Sequence, residues 1–167
     1  PASPKDSARL LVVGERACDD KTVLDLAASL KPGDIAVFND TKVIPARLFG
    51  RRRRMSDDGE TFANVEVTLL SPDGQGRWMT LCKPGRKLAM GETIVFDGGL
   101  SAEILDKGPD GVRLAFNLTG DAFDAALEAI GRMPLPPYIA AQRPADAQDN
   151  QDYQTMFAER RGAVAAP

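Results

Sequence analysis

The spacing of hydrophobic and polar positions changes character twice along the chain. Residues 8–13 (ARLLVV) form an apolar run bounded by Gly14, the pattern of a short buried strand. Over residues 22–30 (TVLDLAASL), Val23, Leu26, Ala27 and Leu30 fall at i, i+3, i+4 and i+7, one face of a helix. Asp19 and Asp20 just ahead suit the positive end of that helix. Lys31-Pro32-Gly33 predicts its stop, because proline cannot continue the hydrogen-bond ladder. A strand is expected over residues 34–38 (DIAVF) and a second extended stretch over 42–49 (KVIPARLF). Pro45 lacks an amide to donate, so that stretch is an edge strand or bulges there.

From about residue 51 the period falls to two. Val65, Val67 and Leu69 alternate with Asn64, Glu66 and Thr68, and Val112, Leu114, Phe116 and Leu118 alternate with Arg113 and Asn117. Further strands are expected at 77–82, 93–96 and 101–105. Turns are expected at Pro72-Asp73-Gly74, Lys83-Pro84-Gly85, Asp97-Gly98-Gly99 and Gly108-Pro109-Asp110-Gly111. Five short strands at this spacing predict a small antiparallel barrel or sandwich. Helical spacing returns over 121–130, with Phe123, Ala126, Leu127 and Ile130 apolar and Thr119 or Asp121 available as a cap. The prolines of Met133-Pro134-Leu135-Pro136-Pro137-Tyr138-Ile139 enforce an extended path. Residues 142–152 read as a polar loop, and Tyr153, Met156 and Phe157 as one face of a short helix. The order α/β, then β, then α predicts an insertion. Residues 1–50 begin an α/β domain, 51–120 form a small inserted β-barrel, and 121–167 return to the α/β domain.

Composition narrows the chemistry more than the fold. Hydrophobic residues at 43% and charged residues at 27% of 167 positions are globular values, enough for a core without a disulfide or metal staple. The two cysteines, Cys18 and Cys82, have no ligand spacing. Histidine is absent, which removes imidazole bases and the commonest metal ligand. With a net charge of −3, nucleic-acid binding would have to come from a local basic patch. No apolar run reaches the roughly 18 to 20 residues of a membrane helix and no signal peptide is recognisable, so a cytoplasmic location is expected.

Two clusters carry candidate chemistry. Asn39-Asp40-Thr41-Lys42 lies between two apolar stretches, and loops at strand ends are where ligands gather. Asp40 could exchange a proton and Lys42 could hold an anion; the same residues also suit a plain turn with a surface ion pair. Arg47, Arg51, Arg52, Arg53 and Arg54 could bind phosphates bidentately, or form a solvated linker balanced by Asp57, Asp58 and Glu60. Arg77, Lys83, Arg86 and Lys87 extend that patch or serve only solubility. Trp78 is expected in the core, and Tyr138 offers a ring for stacking or an interdomain anchor. Phosphate-binding glycine loops, GxSxG and CxxC motifs are absent.

Longer segments add a resemblance. PASPKDSARLLVV (1–13), LKPGDIAVFNDTKVIPARLFGR (30–51), KPGRKLAMGE (83–92), MPLPPYI (133–139) and DYQTMFAERRGAVAAP (152–167) resemble, in order, the S-adenosylmethionine:tRNA ribosyltransferase-isomerases of queuosine biosynthesis. The resemblance implies an α/β barrel-like domain, incomplete here, with an inserted all-β antiparallel Greek-key barrel. It implies transfer and isomerisation of the ribosyl moiety of S-adenosylmethionine onto 7-aminomethyl-7-deazaguanine at the tRNA wobble position, giving epoxyqueuosine and releasing adenine and methionine. In the family's usual scheme a base removes a proton from the sugar carbon beside the sulfonium. S-adenosylmethionine is then a co-substrate, with no prosthetic group and no metal, and tRNA carrying the modified base is the partner, with no membrane.

Under this resemblance Asp40 and Lys42 are the catalytic candidates, and Asn39, Thr41, Arg47 and Tyr138 bind substrate. Arg51, Arg52, Arg53, Arg54, Lys83 and Arg86 contact tRNA. The family's next segment, beginning Thr-Ala-Gly-Leu-His-Phe-Thr, and an opening strand are missing, so the chain is expected to be a truncated, inactive portion whose open edges invite self-association, the complete enzyme being a monomer. The alternative is a non-catalytic tRNA- or RNA-binding β-barrel module over 51–118, separated from the enzyme by release of adenine. A purely structural partner domain would bind no tRNA and release no adenine.

Overall fold

The computed structural model describes residues 2–56, 59–135, 139, 142–143 and 148–163. Its centre is a closed barrel of six strands: β4 (Arg47–Ser56), β5 (Gly59–Pro72), β6 (Arg77–Lys83), β7 (Thr93–Phe96), β8 (Ser101–Gly108) and β9 (Gly111–Phe116). They follow the order β4-β5-β6-β9-β8-β7, with β7 paired back onto β4 and every pair antiparallel. Alternation explains the interior. Val65, Val67 and Leu69 of β5 are buried, as are Ile94 and Phe96, Ala102 and Ile104, and Val112, Leu114 and Phe116. Intervening residues face outward, as a period of two requires.

The barrel holds one strand more than the five the alternation predicted. The extra strand is β4, which takes in the arginine run. Arg51, Arg52 and Arg53 pair with Asn64, Ala63 and Phe62 on one side and with Val95, Ile94 and Thr93 on the other. The run is therefore a ladder strand and not a linker. Gly50 makes this possible: a Cβ there would lie 2.7 Å from the Phe96 ring and 2.9 Å from Ile94, inside the core.

Helix α2 (Gly120–Ile130) packs Phe123 and Leu127 into the barrel core, with Ala126 and Ile130 beside them, as its spacing predicted. Thr119 takes the N-cap position without a side-chain hydrogen bond. Rings run from the barrel into the helix: Phe96–Phe116 at 6.0 Å, Phe116–Phe123 at 4.9 Å and Trp78–Phe123 at 5.8 Å. Trp78 packs against the core, as expected. After α2 the chain returns to β4, where Arg132 and Arg47 exchange backbone hydrogen bonds of 2.8 and 3.1 Å.

Several local expectations change outside the barrel. β1 (Arg9–Val13) forms a hairpin with β2 (Cys18–Thr22), but Leu11 and Val13 point to solvent. The helix expected over 22–30 shrinks to a 3-10 turn, Val23–Asp25, and one turn of α1, Leu26–Ser29. The carboxylate of Asp25 accepts from the Thr22 amide and hydroxyl at 2.8 and 2.9 Å, which fixes that start. Residues 34–38 form no strand, and Ile35 and Val37 are each 89% exposed. An apolar run becomes a strand only when a neighbour accepts its ladder bonds, and none of the described strands pairs with it.

The stretch expected over 42–49 breaks at buried Pro45 into β3 (Thr41–Val43) and β4. β3 pairs in parallel with β10 (Arg160–Ala163), from the other end of the sequence. The short helix expected around Tyr153–Phe157 lies earlier, as α3 (Asp149–Asp152), inside the segment read as loop. There Arg143 donates twice to the buried Asp149 carboxylate, at 2.8 and 2.6 Å. No described helix is long and apolar enough to cross a membrane.

Candidate functional site

Asn39-Asp40-Thr41-Lys42 leads into β3 and is held from the far end of the chain. The Asn39 side chain accepts from the Thr41 amide at 3.0 Å, and the Asn39 carbonyl accepts from the Thr155 hydroxyl at 2.8 Å. The Asp40 carbonyl accepts from the amides of Glu159 and Arg160, at 2.8 and 3.0 Å. The Asp40 carboxylate pairs with Arg160 at 3.1 Å, both groups being substantially exposed. One residue on, Gln154 bonds both the amide and the carbonyl of Val43, at 2.7 and 2.8 Å, as a neighbouring strand would.

The structure therefore brings Asp40 to Arg160. Lys42 is exposed and has no ionic partner among the described residues. The tetrapeptide sits at the amino end of its parallel strand, whereas ligands of open α/β sheets gather at carboxyl ends. Next to it runs an apolar groove of about 420 Å³ lined by Val23, Leu24, Leu30, Phe38, Met156 and Phe157, with the Phe38 and Phe157 rings 4.4 Å apart.

The barrel carries the second cluster, and strand period sorts it. Arg47, Phe49, Arg51 and Arg53 share the outer face of β4, while Arg52 and Arg54 follow the parity of inward-facing Leu48 and Gly50. Arg47 donates to Glu66 at 2.8 Å and lies 5.3 Å from the centre of the Phe49 ring. Arg53 pairs with Glu60. Arg54 donates to Glu92 at 2.6 Å; Arg52 lies 3.7 Å from the same carboxylate and also donates to the Lys87 carbonyl.

Desolvation pushes the Glu92 carboxyl up. The Arg54 hydrogen bond, the Ala89 amide and the charges of Arg52 and Arg54 outweigh it and hold the group below the usual glutamate range. Arg51 differs from its neighbours: its guanidinium lies 5.4 Å from the centre of the Phe62 ring and meets no carboxylate among the described residues.

Arg51 and Lys83 line one groove of about 510 Å³ on the outer barrel wall, together with Phe49, Asn64, Glu66 and Asp97. Arg86 stands elsewhere, beside Lys107 in a smaller groove of about 330 Å³ that also reaches Cys82. Burial raises the Cys82 thiol pKa against the opposing effect of its hydrogen bond with Thr80. Tyr138, Asp57 and Asp58 lie outside the described residues. No three described His, Cys, Asp or Glu side chains group as a metal site would.

Sequence reasoning missed Arg132, whose guanidinium lies 5.1 Å from the centre of the Phe49 ring, and Arg160, Gln154 and Glu92. The split of the arginine run was readable by counting parity from Leu48. The pairing of Arg132 and Arg160 with distant segments had no local signal.

The closed barrel with its arginine-bearing strand β4, together with a parallel pair made from distant segments, defines a β-barrel protein. The chain belongs to the queuosine biosynthesis protein family, whose model matches residues 1–167. The resemblance carried by the five sequence segments is thereby established. An S-adenosylmethionine:tRNA ribosyltransferase-isomerase of Dinoroseobacter shibae is 60% identical over 100% of this chain and 47% of its own length. The protein of the same name from a Jannaschia species is 56% identical, with the same coverage. A crystal structure of the S-adenosylmethionine tRNA ribosyltransferase of Thermotoga maritima is 31% identical over 85% of this chain and 48% of that one, with a TM-score of 0.39. The chain thus spans about half the length of the curated relatives it matches.

Proposed function

We propose that this chain works as part of an enzyme that moves and isomerises the ribosyl moiety of S-adenosylmethionine onto 7-aminomethyl-7-deazaguanine at the wobble position of tRNA. Adenine and methionine leave and epoxyqueuosine remains. The observation that carries this reading is the family match over residues 1–167, joined to relatives of 60% and 56% identity that are named for the reaction.

On this reading the chain on either side of the barrel belongs to an α/β domain that receives the donor, and the segment around 51–120, with its first strand β4 beginning at Arg47, forms an inserted Greek-key barrel that faces tRNA. The parallel β3–β10 pair supports the first assignment. The crossing from β6 to β7, which places β7 beside β4 and leaves β9 beside β6, supports the second. Asp40 is the proton acceptor of the sugar carbon beside the sulfonium, with Lys42 placing charge and Asn39 and Thr41 bounding the donor. Access supports Asp40: its side chain is 48% exposed and held by Arg160, beside Lys42, which has no ionic partner among the described residues.

The test is adenine release from S-adenosylmethionine by this sequence in a chain of its relatives' length, with modified tRNA present. Asp40→Asn is expected to slow release at least ~100-fold, the scale of a lost general base, at unchanged tRNA affinity. A fully active variant removes Asp40 from the mechanism. Tight tRNA binding with no adenine released by the unaltered protein identifies a binding module.

A further inference from the structure

We infer that the barrel holds tRNA phosphates through Arg51, Lys83 and Arg132 around the Phe49 groove, and that Arg52, Arg53 and Arg54 are structural charges. The inference rests on the tRNA-binding reading above and narrows it to particular side chains.

Charge accounting separates the two sets. A cation already paired with a carboxylate has little net charge to exchange for condensed counterions, and that exchange drives phosphate binding. Arg53 is paired with Glu60, and Arg52 and Arg54 share the single carboxylate of Glu92; the one positive charge left over is drawn inward, because the Arg52 side chain is only 12% exposed and also donates to the Lys87 carbonyl. Arg47 is committed to Glu66. Arg51 and Arg132 instead rest on rings, at 5.4 Å from the Phe62 centre and 5.1 Å from the Phe49 centre. Such a contact orients the guanidinium without neutralising it, so its edge donors stay available for a phosphate.

Lys83 completes the set. It lies opposite Glu66 in the β5–β6 ladder, but that carboxylate is taken by Arg47, and Lys83 has no ionic partner among the described residues. Arg51 and Lys83 line the same groove, and Phe49, which carries Arg132, lines it as well. Its volume of about 510 Å³ lies within the ~300–1,000 Å³ of small-ligand sites. The remaining polar lining, Asn64, Glu66 and Asp97, offers acceptors suited to ribose hydroxyls and exocyclic amines. Exposed aromatic, basic and acceptor groups on one wall fit a stretch of RNA backbone.

The experiment measures tRNA affinity between 50 and 200 mM salt, using this sequence in a chain of its relatives' length. The triple variant Arg51→Gln/Lys83→Gln/Arg132→Gln is expected to lower the slope of log K against log salt by about two units and weaken binding at least ~10-fold at low salt. The double variant Arg53→Gln/Arg54→Gln is expected to leave the slope unchanged and lower the melting temperature. The charge-conserving Arg51→Lys/Lys83→Arg/Arg132→Lys keeps the slope. If the triple variant fails to fold, each single glutamine variant should lower the slope by about 0.7 to 0.9. Unaltered slopes in the first set, or an equal loss from the Arg53/Arg54 pair, overturn the assignment while tRNA binding stands. An unaltered protein with no salt-dependent tRNA affinity overturns the tRNA reading itself.

Discussion

Consecutive arginines on one strand would repel each other in an unfolded chain, and in the barrel they are relieved in three ways: Arg51 on the Phe62 ring, Arg53 on Glu60, and Arg52 and Arg54 together on Glu92. Glu92 is central because two of the four, Arg52 and Arg54, converge on it. Its carboxyl is held below its ordinary value of 4.5 in the folded protein, so the unfolded state binds more protons as pH falls. The resulting stabilisation is complete above about that value and is lost as pH drops through the depressed folded value. Glu92→Gln should therefore melt earlier than the unaltered protein at pH 7, and the gap in melting temperature should close on acidification below pH 4.5. A gap that persists at low pH would mean that packing, and not charge, sets the effect. Thr80 shows the neutral counterpart: wholly buried, it donates to the Val112 carbonyl at 2.7 Å.

At the scale of elements, α2 decides whether the barrel end is sealed. Phe123 packs between Trp78 and Phe116 with its ring tilted to both, and Phe123→Ala should cost about 3–5 kcal/mol in chemical denaturation, since the ring leaves a cavity in a closed core. A loss below ~1 kcal/mol would show that the barrel core is complete without the helix. Gly131 ends α2 directly against the backbone at Pro45, and a Cβ there would run into the carbonyl oxygens of Pro45 and Leu127. Gly131→Ala should thus destabilise by at least ~1 kcal/mol and loosen the Arg47–Arg132 backbone pair, read as faster amide exchange at Arg132.

For the molecule as a whole, two kinds of surface coexist. The barrel has no free edge because β7 closes onto β4. Outside it, Leu24, Leu30, Ile35, Val37, Phe38, Met156 and Phe157 are all exposed, several of them around one apolar groove. A contiguous apolar face of this kind binds hydrophobic dyes and promotes association. This 167-residue chain is expected to enhance anilinonaphthalene sulfonate fluorescence and to scatter more light per mass as concentration rises. Phe38→Ser/Phe157→Ser should reduce both, and a monomeric, dye-silent chain would contradict the exposure of that groove.

What the sequence determined by itself was whatever a local period encodes. Val65–Leu69 and Val112–Phe116 alternate, and Phe123, Ala126, Leu127 and Ile130 recur at helical spacing, so the barrel walls and α2 could be read directly. Long ordered segments likewise carried the family. The tertiary structure decided matters that depend on partners far away in the chain. Residues 34–38 are apolar enough for a strand yet have none, while the charged Arg51–Arg54 run is a strand because β5 and β7 supply both ladders. Asp40 meets Arg160, and Phe49 meets Arg132, only because the backbone returns to those places. Periodicity is a property of neighbours in sequence, whereas hydrogen-bond and charge partners are properties of neighbours in space, and only the first can be read from the order of residues.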